Sequence, residues 1–352
     1  MSKVVLHIGT HKTATTTIQD TFYENSELLA KAGLIYPRLA GPKITGHHGL
    51  VCAWGRLPNM YRLPEGSRME FLKLAKEYAD QDVTLFLSSE EFSRGGNEAN
   101  VDFDEVRQLL SDFDEIEVVC TLRTQWQFMQ SVYQEMSKTT VQPDPVKMVK
   151  PGIENGIWNE LWLDYNLLLD RLLETFDESE ITLLDFSTIR KEPGGVIGAI
   201  LKRYCPTLSA DDLKEVNGGA SNVSRDAIAT WASSVVSPNF VAPKWLFDII
   251  DAILAERWGK DRKTCVFRRQ DFEVLAKHFN ASNEKLRKRR AKYQPDFAVT
   301  PAEVGQVSHF RDELRADFWA GISRRLAARC SQLQMKLAQK EQQPQQKVVD
   351  TE

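Results

Sequence analysis

The chain has 352 residues, of which 42% are hydrophobic, and its 45 Lys and Arg against 49 Asp and Glu give a formal net charge of −4. A chain of this length and apolar content can bury one large core or two modest ones, so a catalytic cleft needs no partner chain. The charge balance excludes a global attraction to nucleic acid or to an anionic membrane, and any polyanion would need a local basic patch.

The first segment of the chain predicts a strand, a loop and a helix. Residues 4–8 form an apolar run that ends at Gly9, and a Thr-rich turn follows. Apolar residues then recur with near-helical spacing until Gly33, at Ile18, Phe22, Leu28 and Leu29.

Further strands and helices alternate along the next 150 residues or so. Apolar runs flanked by helical patterns predict strands at 34–36, 83–87, 116–120 and 181–184. Apolar faces with a period of 3.6 predict helices at 71–79, 106–113, 126–137 and 158–176. This alternation predicts an α/β fold of three layers, with a mostly parallel central sheet covered by helices on both faces.

The C-terminal part of the chain has a different pattern. From about Val223 onward the apolar spacing is helical and no strand pattern is present. We expect residues 1–222 to form the α/β core and residues 223–338 to form a helical continuation or cap of the same domain. Residues 339–352 are rich in Gln, Lys and Glu and predict a disordered tail.

The cysteines and the apolar segments allow a prediction of the cellular compartment in which the protein resides. The chain has five cysteines, at Cys52, Cys120, Cys205, Cys265 and Cys330. Their odd number, wide spacing and lack of a Cys-x-x-Cys pair argue against a disulfide framework and against a thiolate zinc site. The apolar run before Gly9 is too short for a signal-peptide core, and no stretch approaches the ~18 residues of a membrane span. We therefore expect a cytoplasmic protein without a membrane span.

The Thr-rich loop after the first strand has the composition of an anion site. A loop that enters a helix N-terminus gathers unpaired backbone N–H groups and the positive end of the helix dipole. Lys12 adds a point charge, and further hydroxyl donors come from Thr13, Thr15, Thr16 and Thr17. An ordinary helix start capped by threonine is the alternative, but four threonines beside a lysine favour anion binding.

The spacing of this loop differs from that of a nucleoside-triphosphate P-loop. That motif reads Gly-x-x-x-x-Gly-Lys-Ser/Thr, which places its lysine six residues after the first glycine. Lys12 is three residues after Gly9, and no second glycine precedes it. A standard Walker loop is therefore absent.

Residues 7–19 instead resemble the 5′-phosphosulfate loop of the sulfotransferase family that uses 3′-phosphoadenosine 5′-phosphosulfate (PAPS), whose core is Lys-Ser/Thr-Gly-Thr-Thr. The resemblance implies a P-loop-like fold and a donor site at His11, Lys12, Thr13, Ala14, Thr15, Thr16 and Thr17. Ala14 departs from the family, which usually has glycine there. If the backbone at this position has a positive φ, alanine costs on the order of 1 kcal/mol, whereas a negative φ makes the change neutral.

A second anion site is predicted at Arg123 and Ser131. Arg123 follows the predicted strand at 116–122, and Ser131 comes eight residues later in a helical stretch. An arginine at the carboxyl end of a parallel strand points into the crevice where α/β sheets bind ligands. Taken alone, the pair is more typical of an exposed charge and a capping hydroxyl. Together with Tyr133, however, it is similar to the segment Arg-x-x-x-x-x-x-x-Ser-x-Tyr that holds the donor 3′-phosphate in the sulfotransferase family.

Sulfuryl transfer needs a cation at the leaving phosphate oxygen and a base on the acceptor hydroxyl, by analogy with phosphoryl transfer. Lys12 is the candidate cation. Glu90 and Glu91 follow the strand at 83–87 and are candidate bases, although acidic residues also favour helix N-termini. In the sulfotransferase family a strand before the 3′-phosphate segment ends near the base, a glutamate in several carbohydrate-modifying members. The resemblance therefore implies Glu90, with Glu91 second.

A histidine pair, His47 and His48, is another candidate for the base. Imidazole titrates near neutral pH, and the glycines on either side of the pair allow a ligand to approach closely. Two adjacent histidines are also typical of a surface loop. No other cluster of His, Cys or carboxylates has metal-ligand spacing, so we expect no metal site.

These patterns together predict an enzyme that transfers a sulfuryl group from PAPS to a hydroxyl or amine, with a carbohydrate among the possible acceptors. The donor would leave as adenosine 3′,5′-bisphosphate, and no nucleic acid is expected as a partner. Two alternatives remain at this point: an atypical P-loop nucleotide kinase, and a non-catalytic protein of this type that binds a nucleotide or a glycan.

Overall fold

The computed structural model describes residues 1–41, 43–96, 100–216 and 225–342. The chain divides into two compact units. The first comprises Met1–Tyr133, Pro143–Ser224 and Gln270–Val304, and the second comprises Gln134–Gln142, Arg225–Arg269 and Gly305–Glu352. The domain boundary expected near residue 222 stays a prediction, and the part of the expected tail beyond Gln342 lies outside the described residues.

A five-stranded parallel sheet forms the centre of the first unit. The strands of this unit are β1 Lys3–His7, β2 Leu34–Ile35, β3 Thr84–Ser88, β4 Glu115–Leu122, β5 Ile157–Trp158, β6 Leu161–Trp162 and β7 Ile181–Asp185. The order in the sheet is β2-β3-β1-β4-β7, while β5 and β6 form a separate antiparallel pair. The central strand β1 pairs with β3 on one side and β4 on the other, so that Lys3 lies opposite both Thr84 and Glu115.

Helices cover both faces of this sheet. The helices that lie wholly or mostly in the first unit are α1 Thr15–Glu24, α2 Ser26–Lys31, α3 Ser67–Tyr78, α4 Phe103–Leu109, α5 Gln125–Met136, α6 Val146–Asn155, α7 Tyr165–Leu173, α8 Phe186–Ile189, α9 Gly195–Tyr204 and α12 Arg269–Arg290. Neighbouring residues of β1 enter different apolar clusters: Val4 packs with Phe71 on one face, and Val5 packs with Phe22 on the other. Strands covered on both faces read as continuous apolar runs. The predicted three-layer α/β fold is therefore confirmed.

One predicted element was wrong. The helical pattern over 158–176 contains the β5–β6 hairpin in its first part, and α7 begins only at Tyr165. The turn residues Asn159 and Glu160 have φ values of 51° and 61°. Two successive positive φ values are typical of the tight turn that joins antiparallel strands and are incompatible with an α-helix.

The second unit has its own apolar cluster. Its helices are α10 Ala227–Val236, α11 Lys244–Trp258 and α13 Ala316–Gln342. Ile228, Ile250 and Phe318 pack together in this cluster. The unit also contains two short parallel strands, β8 Thr264–Cys265 and β9 His309–Phe310, which corrects the expectation of no strand after residue 223. Two-residue strands are too short to produce a periodic pattern in a sequence.

Among the described residues, no helix combines the length and apolar character needed to cross a lipid bilayer.

Candidate functional site

The loop between β1 and α1 is fixed to the neighbouring strand at its start. The backbone N–H of Ile8 donates to the carbonyl of Val119 at 2.9 Å, and that of Thr10 donates to the carbonyl of Thr121 at 3.0 Å. The hydroxyl of Thr10 donates to the same Thr121 carbonyl at 2.9 Å. Residues 8–10 therefore extend the β1–β4 pairing before the chain turns.

Two left-handed residues form the turn itself. Lys12 has a φ of 63°, and Ala14, the N-cap of α1, has a φ of 64° and a ψ of 26°. Thr13 lies between them outside the left-handed region, and its hydroxyl donates to the Thr10 carbonyl at 2.5 Å. Alternation of this kind turns successive backbone N–H groups toward one concave surface, which is an anion-binding geometry. The helix N-terminus adds its positive dipole end at the same place.

Ala14 meets the condition under which alanine is strained. A left-handed conformation costs an ordinary L-residue roughly 1–2 kcal/mol and costs glycine almost nothing. Strained backbone of this type concentrates at functional sites, where the surrounding structure holds it in place. The loop keeps the conformation that a glycine would adopt, at the expense of some stability.

The threonines of the loop differ in exposure. Thr13 and Thr15 are buried, Thr17 is half-buried and Thr16 is exposed. The hydroxyl of Thr13 is engaged with the Thr10 carbonyl. The four hydroxyls predicted from the sequence to surround an anion are therefore not equivalent.

Arg123 reaches the loop from the end of β4. One terminal nitrogen of its guanidinium donates to the Lys12 carbonyl at 3.0 Å. Its backbone is held by Tyr165, whose hydroxyl donates to the Arg123 carbonyl at 2.5 Å and accepts from the Arg123 N–H at 3.3 Å. Arg123 and the loop thus form one connected unit at the carboxyl edge of the sheet.

The charge of Arg123 is not compensated within the described part of the chain. Its Nε atom is buried and has no hydrogen-bond partner, and no carboxylate there pairs with its guanidinium. Burial and, to a smaller extent, the nearby Arg190 together lower the pKa of Arg123 to about 10. A buried charge without a partner is costly, so this arrangement favours the binding of an anion.

Arg190 and Phe186 lie beside Arg123, and the sequence did not predict them as part of the candidate site. The guanidinium carbons of Arg123 and Arg190 lie 5.3 Å and 6.0 Å from the centre of the Phe186 ring. Arg190 is exposed and follows the short helix α8. The spacing of residues 181–190 does not predict an aromatic ring between two cations, because Arg123 follows β4 and Arg190 follows α8, far apart in the sequence.

Ser131 is less closely tied to the loop. It is buried in α5, with 4% of its surface exposed. Among the described residues, no hydrogen bond joins it to Arg123. The structure therefore places Arg123 in contact with Lys12, whereas the predicted role of Ser131 in the same site stays a prediction.

Glu90 and Glu91 follow β3 and begin a 3₁₀ turn, Glu90–Ser93, capped by the Ser89 hydroxyl. The side chain of Glu90 accepts a hydrogen bond from Gln19 Nε2 at 3.0 Å. Burial acts to raise the pKa of Glu90, but His48, His11 and the Gln19 bond outweigh it, so the pKa lies below its usual value. Glu90 is therefore ionised at neutral pH.

Glu91 is committed to ion pairs. It binds the guanidinium of Arg94, which also donates to Glu160 at 3.0 Å, and its other oxygen lies 3.4 Å from His11 Nε2. Burial acts to raise the pKa of Glu91, but His11 and Arg94 outweigh it and lower the pKa to about 2. A carboxylate held this strongly is a poor proton acceptor, which leaves Glu90 as the better-placed base.

The two adjacent histidines have different environments. His47 is buried; its Nδ1 accepts from the Ser88 N–H at 2.9 Å, and its Nε2 lies 2.8 Å from the Pro37 carbonyl. Burial lowers the pKa of His47 to about 4, so it is a neutral residue that joins two segments of backbone. His48 is half-buried, with Nδ1 2.9 Å from the Ser89 hydroxyl. Of the pair, His48 is the one next to Glu90.

No group of three or more His, Cys, Asp or Glu side chains in the described ranges is arranged to hold a metal ion.

No family model matches the chain, and no curated protein matches it. Among solved structures, it is similar to a sulfotransferase from Alicyclobacillus acidocaldarius, with a TM-score of 0.38 and 12% identity, over 69% of this chain and 95% of that one. At that level of similarity we draw no functional conclusion from the likeness, and the roles of the residues rest on their own geometry.

Proposed function

We propose that the protein is a sulfotransferase that takes its sulfuryl group from PAPS and transfers it to a hydroxyl acceptor. The observation that carries this proposal is the junction of the loop with Arg123. Left-handed Lys12 and Ala14 give the loop an anion-binding shape, and an uncompensated guanidinium lies against it. A donor with anionic groups at both ends of its ribose complements both features.

The residues on each side of this junction fit the two ends of such a donor. The loop N–H groups, Lys12 and the hydroxyls of the loop would hold the 5′-phosphosulfate. Arg123, with Arg190 and Ser131, would hold the 3′-phosphate, and the buried Nε of Arg123 would gain a partner. When bound, PAPS supplies a sulfuryl group on a phosphate that is a good leaving group.

The residues of the chain then have distinct tasks. Lys12 would stabilise the negative charge that develops on the departing phosphate oxygen, which is the main way enzymes accelerate transfers of this type. Glu90 would accept the proton of the acceptor hydroxyl. The oxygen of that hydroxyl would form a bond to sulfur while the bond between sulfur and the phosphate oxygen breaks. His48 is the second candidate for this base.

A small polar pocket beside the carboxylates supports a carbohydrate acceptor. Its volume is about 170 Å³, and its lining includes Glu91, Arg94, Glu160, Val51 and Leu57. Carboxylates only accept hydrogen bonds and guanidinium groups only donate them, whereas a hydroxyl does both. Charged groups of both signs beside an apolar wall therefore suit a ring that carries several hydroxyls. The volume is below the 300–1,000 Å³ or so that drug-sized ligands need, which favours a single ring.

Binding of adenosine 3′,5′-bisphosphate tests the proposal. A ligand that binds only the native state at a hundredfold excess over its Kd stabilises the protein by about 2.7 kcal/mol. We expect a thermal shift with the bisphosphate that is lost in Lys12→Ala, and a smaller shift with ATP and Mg²⁺. No shift with the bisphosphate, or a larger one with ATP and Mg²⁺, rules out PAPS as the donor, and the latter favours a nucleotide kinase.

Transfer itself is measured with PAPS and a panel of acceptors. We expect sulfated product, detected by mass spectrometry, from neutral saccharides and none from simple phenols. Bisphosphate binding without any transfer, across saccharides, phenols and amines, favours a protein that binds nucleotide without catalysis.

A further inference from the structure

Gln19 connects the loop helix to the candidate base. It lies on α1, four residues after the helix begins at Thr15, and only 2% of its surface is exposed. Its Nε2 atom lies 3.0 Å from Glu90 Oε2 and 3.4 Å from both the carbonyl and the hydroxyl oxygen of Ser88. One side chain of the loop helix thus contacts the end of β3 and the carboxylate that follows it.

A buried histidine holds the Ser88 hydroxyl, which is one of the groups that Gln19 contacts. His7, at the end of β1, is fully buried, and its Nδ1 lies 2.8 Å from the Ser88 hydroxyl. Burial lowers the pKa of His7 to about 4, which keeps the ring neutral. The Ser88 hydroxyl is therefore held in place without a cation that would compete with Gln19 for Glu90.

Gly46 lies close to the Gln19 amide and limits the positions that this amide can take. A Cβ atom at residue 46 would lie 2.7 Å from the Cδ and Oε1 atoms of Gln19 and 2.7 Å from His48 Nε2. Contacts this short do not occur, so an alanine there would displace both side chains or shift the backbone at residue 46. The amide is held between Gly46 and the end of β3, with His48 beside it.

We propose that Gln19 is a positioning residue that fixes the orientation of Glu90 for proton transfer. This inference rests on the proposed function, and it adds that the anion loop and the base are oriented by the same helix. The amide of Gln19 donates a hydrogen bond to one carboxylate oxygen of Glu90. This bond restricts the carboxylate to one orientation, in which its other oxygen can face the acceptor. A displacement of about 1 Å in a reacting group can cost about 10²-fold in rate.

The surroundings of Glu90 set the expected pH dependence. The titratable groups that interact with it come from several elements, namely His7, His11, Tyr36, His48, Tyr61 and the adjacent Glu91. The hydrogen bond from Gln19 lowers the pKa of Glu90. Its removal therefore raises that pKa and moves the acid limb of the pH–rate profile to higher pH, while the other groups stay in place.

The test is the pair of variants Gln19→Met and Gln108→Met. Methionine keeps the length of glutamine and removes its amide, and Gln108 is an exposed glutamine on α4 that serves as the matched control. We expect Gln19→Met to lower kcat about 10- to 100-fold, to shift the acid limb upward and to leave the Kd for adenosine 3′,5′-bisphosphate unchanged. Gln108→Met should match the wild type in all three. Gln19→Asn, which keeps the amide on a shorter chain, should lose activity to a similar extent.

Each outcome has a distinct meaning. If Gln19→Met and Gln19→Asn keep the wild-type kcat and acid limb while Glu90→Gln abolishes turnover, Gln19 does not position the base. If both variants lose bisphosphate affinity in proportion to kcat, Gln19 supports the loop instead, and the inference is again overturned. The proposed function fails separately, through a wild-type protein that does not bind the bisphosphate or does not transfer sulfate. Thermal melts exclude loss of folding as the cause.

Discussion

The proposed donor and acceptor sides of the site differ in whether their charged groups are paired. On the donor side, the loop of residues 8–14 lies against Arg123, whose buried guanidinium has no carboxylate partner in the described ranges. On the acceptor side, Glu91, Arg94 and Glu160 satisfy one another in a chain of ion pairs. An uncompensated buried cation favours the binding of an anion, whereas charges that are already paired favour a ligand without net charge. This contrast supports the proposed pairing of a phosphate-bearing donor with a neutral acceptor.

The largest expected effect is on the donor side. Arg123→Met should weaken adenosine 3′,5′-bisphosphate binding about 100-fold or more, because truncation of one partner of a buried charge pair costs about 2–5 kcal/mol. The same change should leave the thermal stability of the unliganded protein unchanged or raise it, since it removes an uncompensated buried charge. Calorimetric titration and thermal melts check the two halves. A ligand-free variant that is strongly destabilised, with affinity intact, contradicts the comparison.

On the acceptor side the opposite pattern is expected. Arg94→Ala removes one of the two partners of Glu91, the other being His11, and should lower the free energy of unfolding by about 1–2 kcal/mol, discounted for the partial exposure of the pair. Bisphosphate affinity should not change, because Arg94 belongs to the acceptor side. Denaturant unfolding and titration on the same sample measure both quantities, and a loss of affinity without a loss of stability contradicts the division.

The pH dependence of stability follows from the same pair. The pKa of Glu91 is lowered to about 2 in the folded protein. A lowered pKa means that the contribution to stability is present above the unfolded pKa, about 4.3 for Glu, and is lost as pH falls from there toward 2. Arg94→Ala should partly flatten this range of the stability profile, because His11 still acts on Glu91 in the variant. An unchanged acid slope in the variant contradicts the role of the ion pair.

The smallest expected effect concerns the strained turn. Ala14→Gly should raise the free energy of unfolding by about 0.5–1 kcal/mol, because relief of the left-handed strain exceeds the added entropy of the unfolded chain. Ala30→Gly is the matched control: Ala30 is an exposed residue within α2, and glycine there should destabilise by about 0.5–1 kcal/mol. Equal signs for the two variants contradict the strain at Ala14.

Some of these features are accessible from the sequence for a physical reason. Central strands of a parallel sheet are buried on both faces, so β1, β3 and β4 appear as apolar runs, and the residues that follow them are placed at one edge. This locates Lys12, Glu90 and Arg123 on the same side of the sheet.

Other features depend on contacts that a linear pattern does not contain. Gln19 looks like an ordinary helix residue until its amide is found beside Glu90. His47 and His48 are chemically identical in the sequence, and only the backbone partners of His47 assign it a structural part. In the β5–β6 hairpin, Trp158, Leu161 and Trp162 have a helical spacing, and only the left-handed backbone of Asn159 and Glu160 shows that a turn lies there instead.

The position of β1 between β3 and β4 sets the distance between Glu90 and Arg123 at the edge of the sheet. Adjacent strands in a sheet are about 4.8 Å apart, so the strand ends that carry Glu90 and Arg123 are separated by two such intervals, about 10 Å. Backbone hydrogen bonds fix this interval, and side-chain substitutions leave it unchanged. Under the proposed function, the sheet would set the distance between the candidate base and the 3′-phosphate site, and the side chains at its edge would decide only what is held at each end.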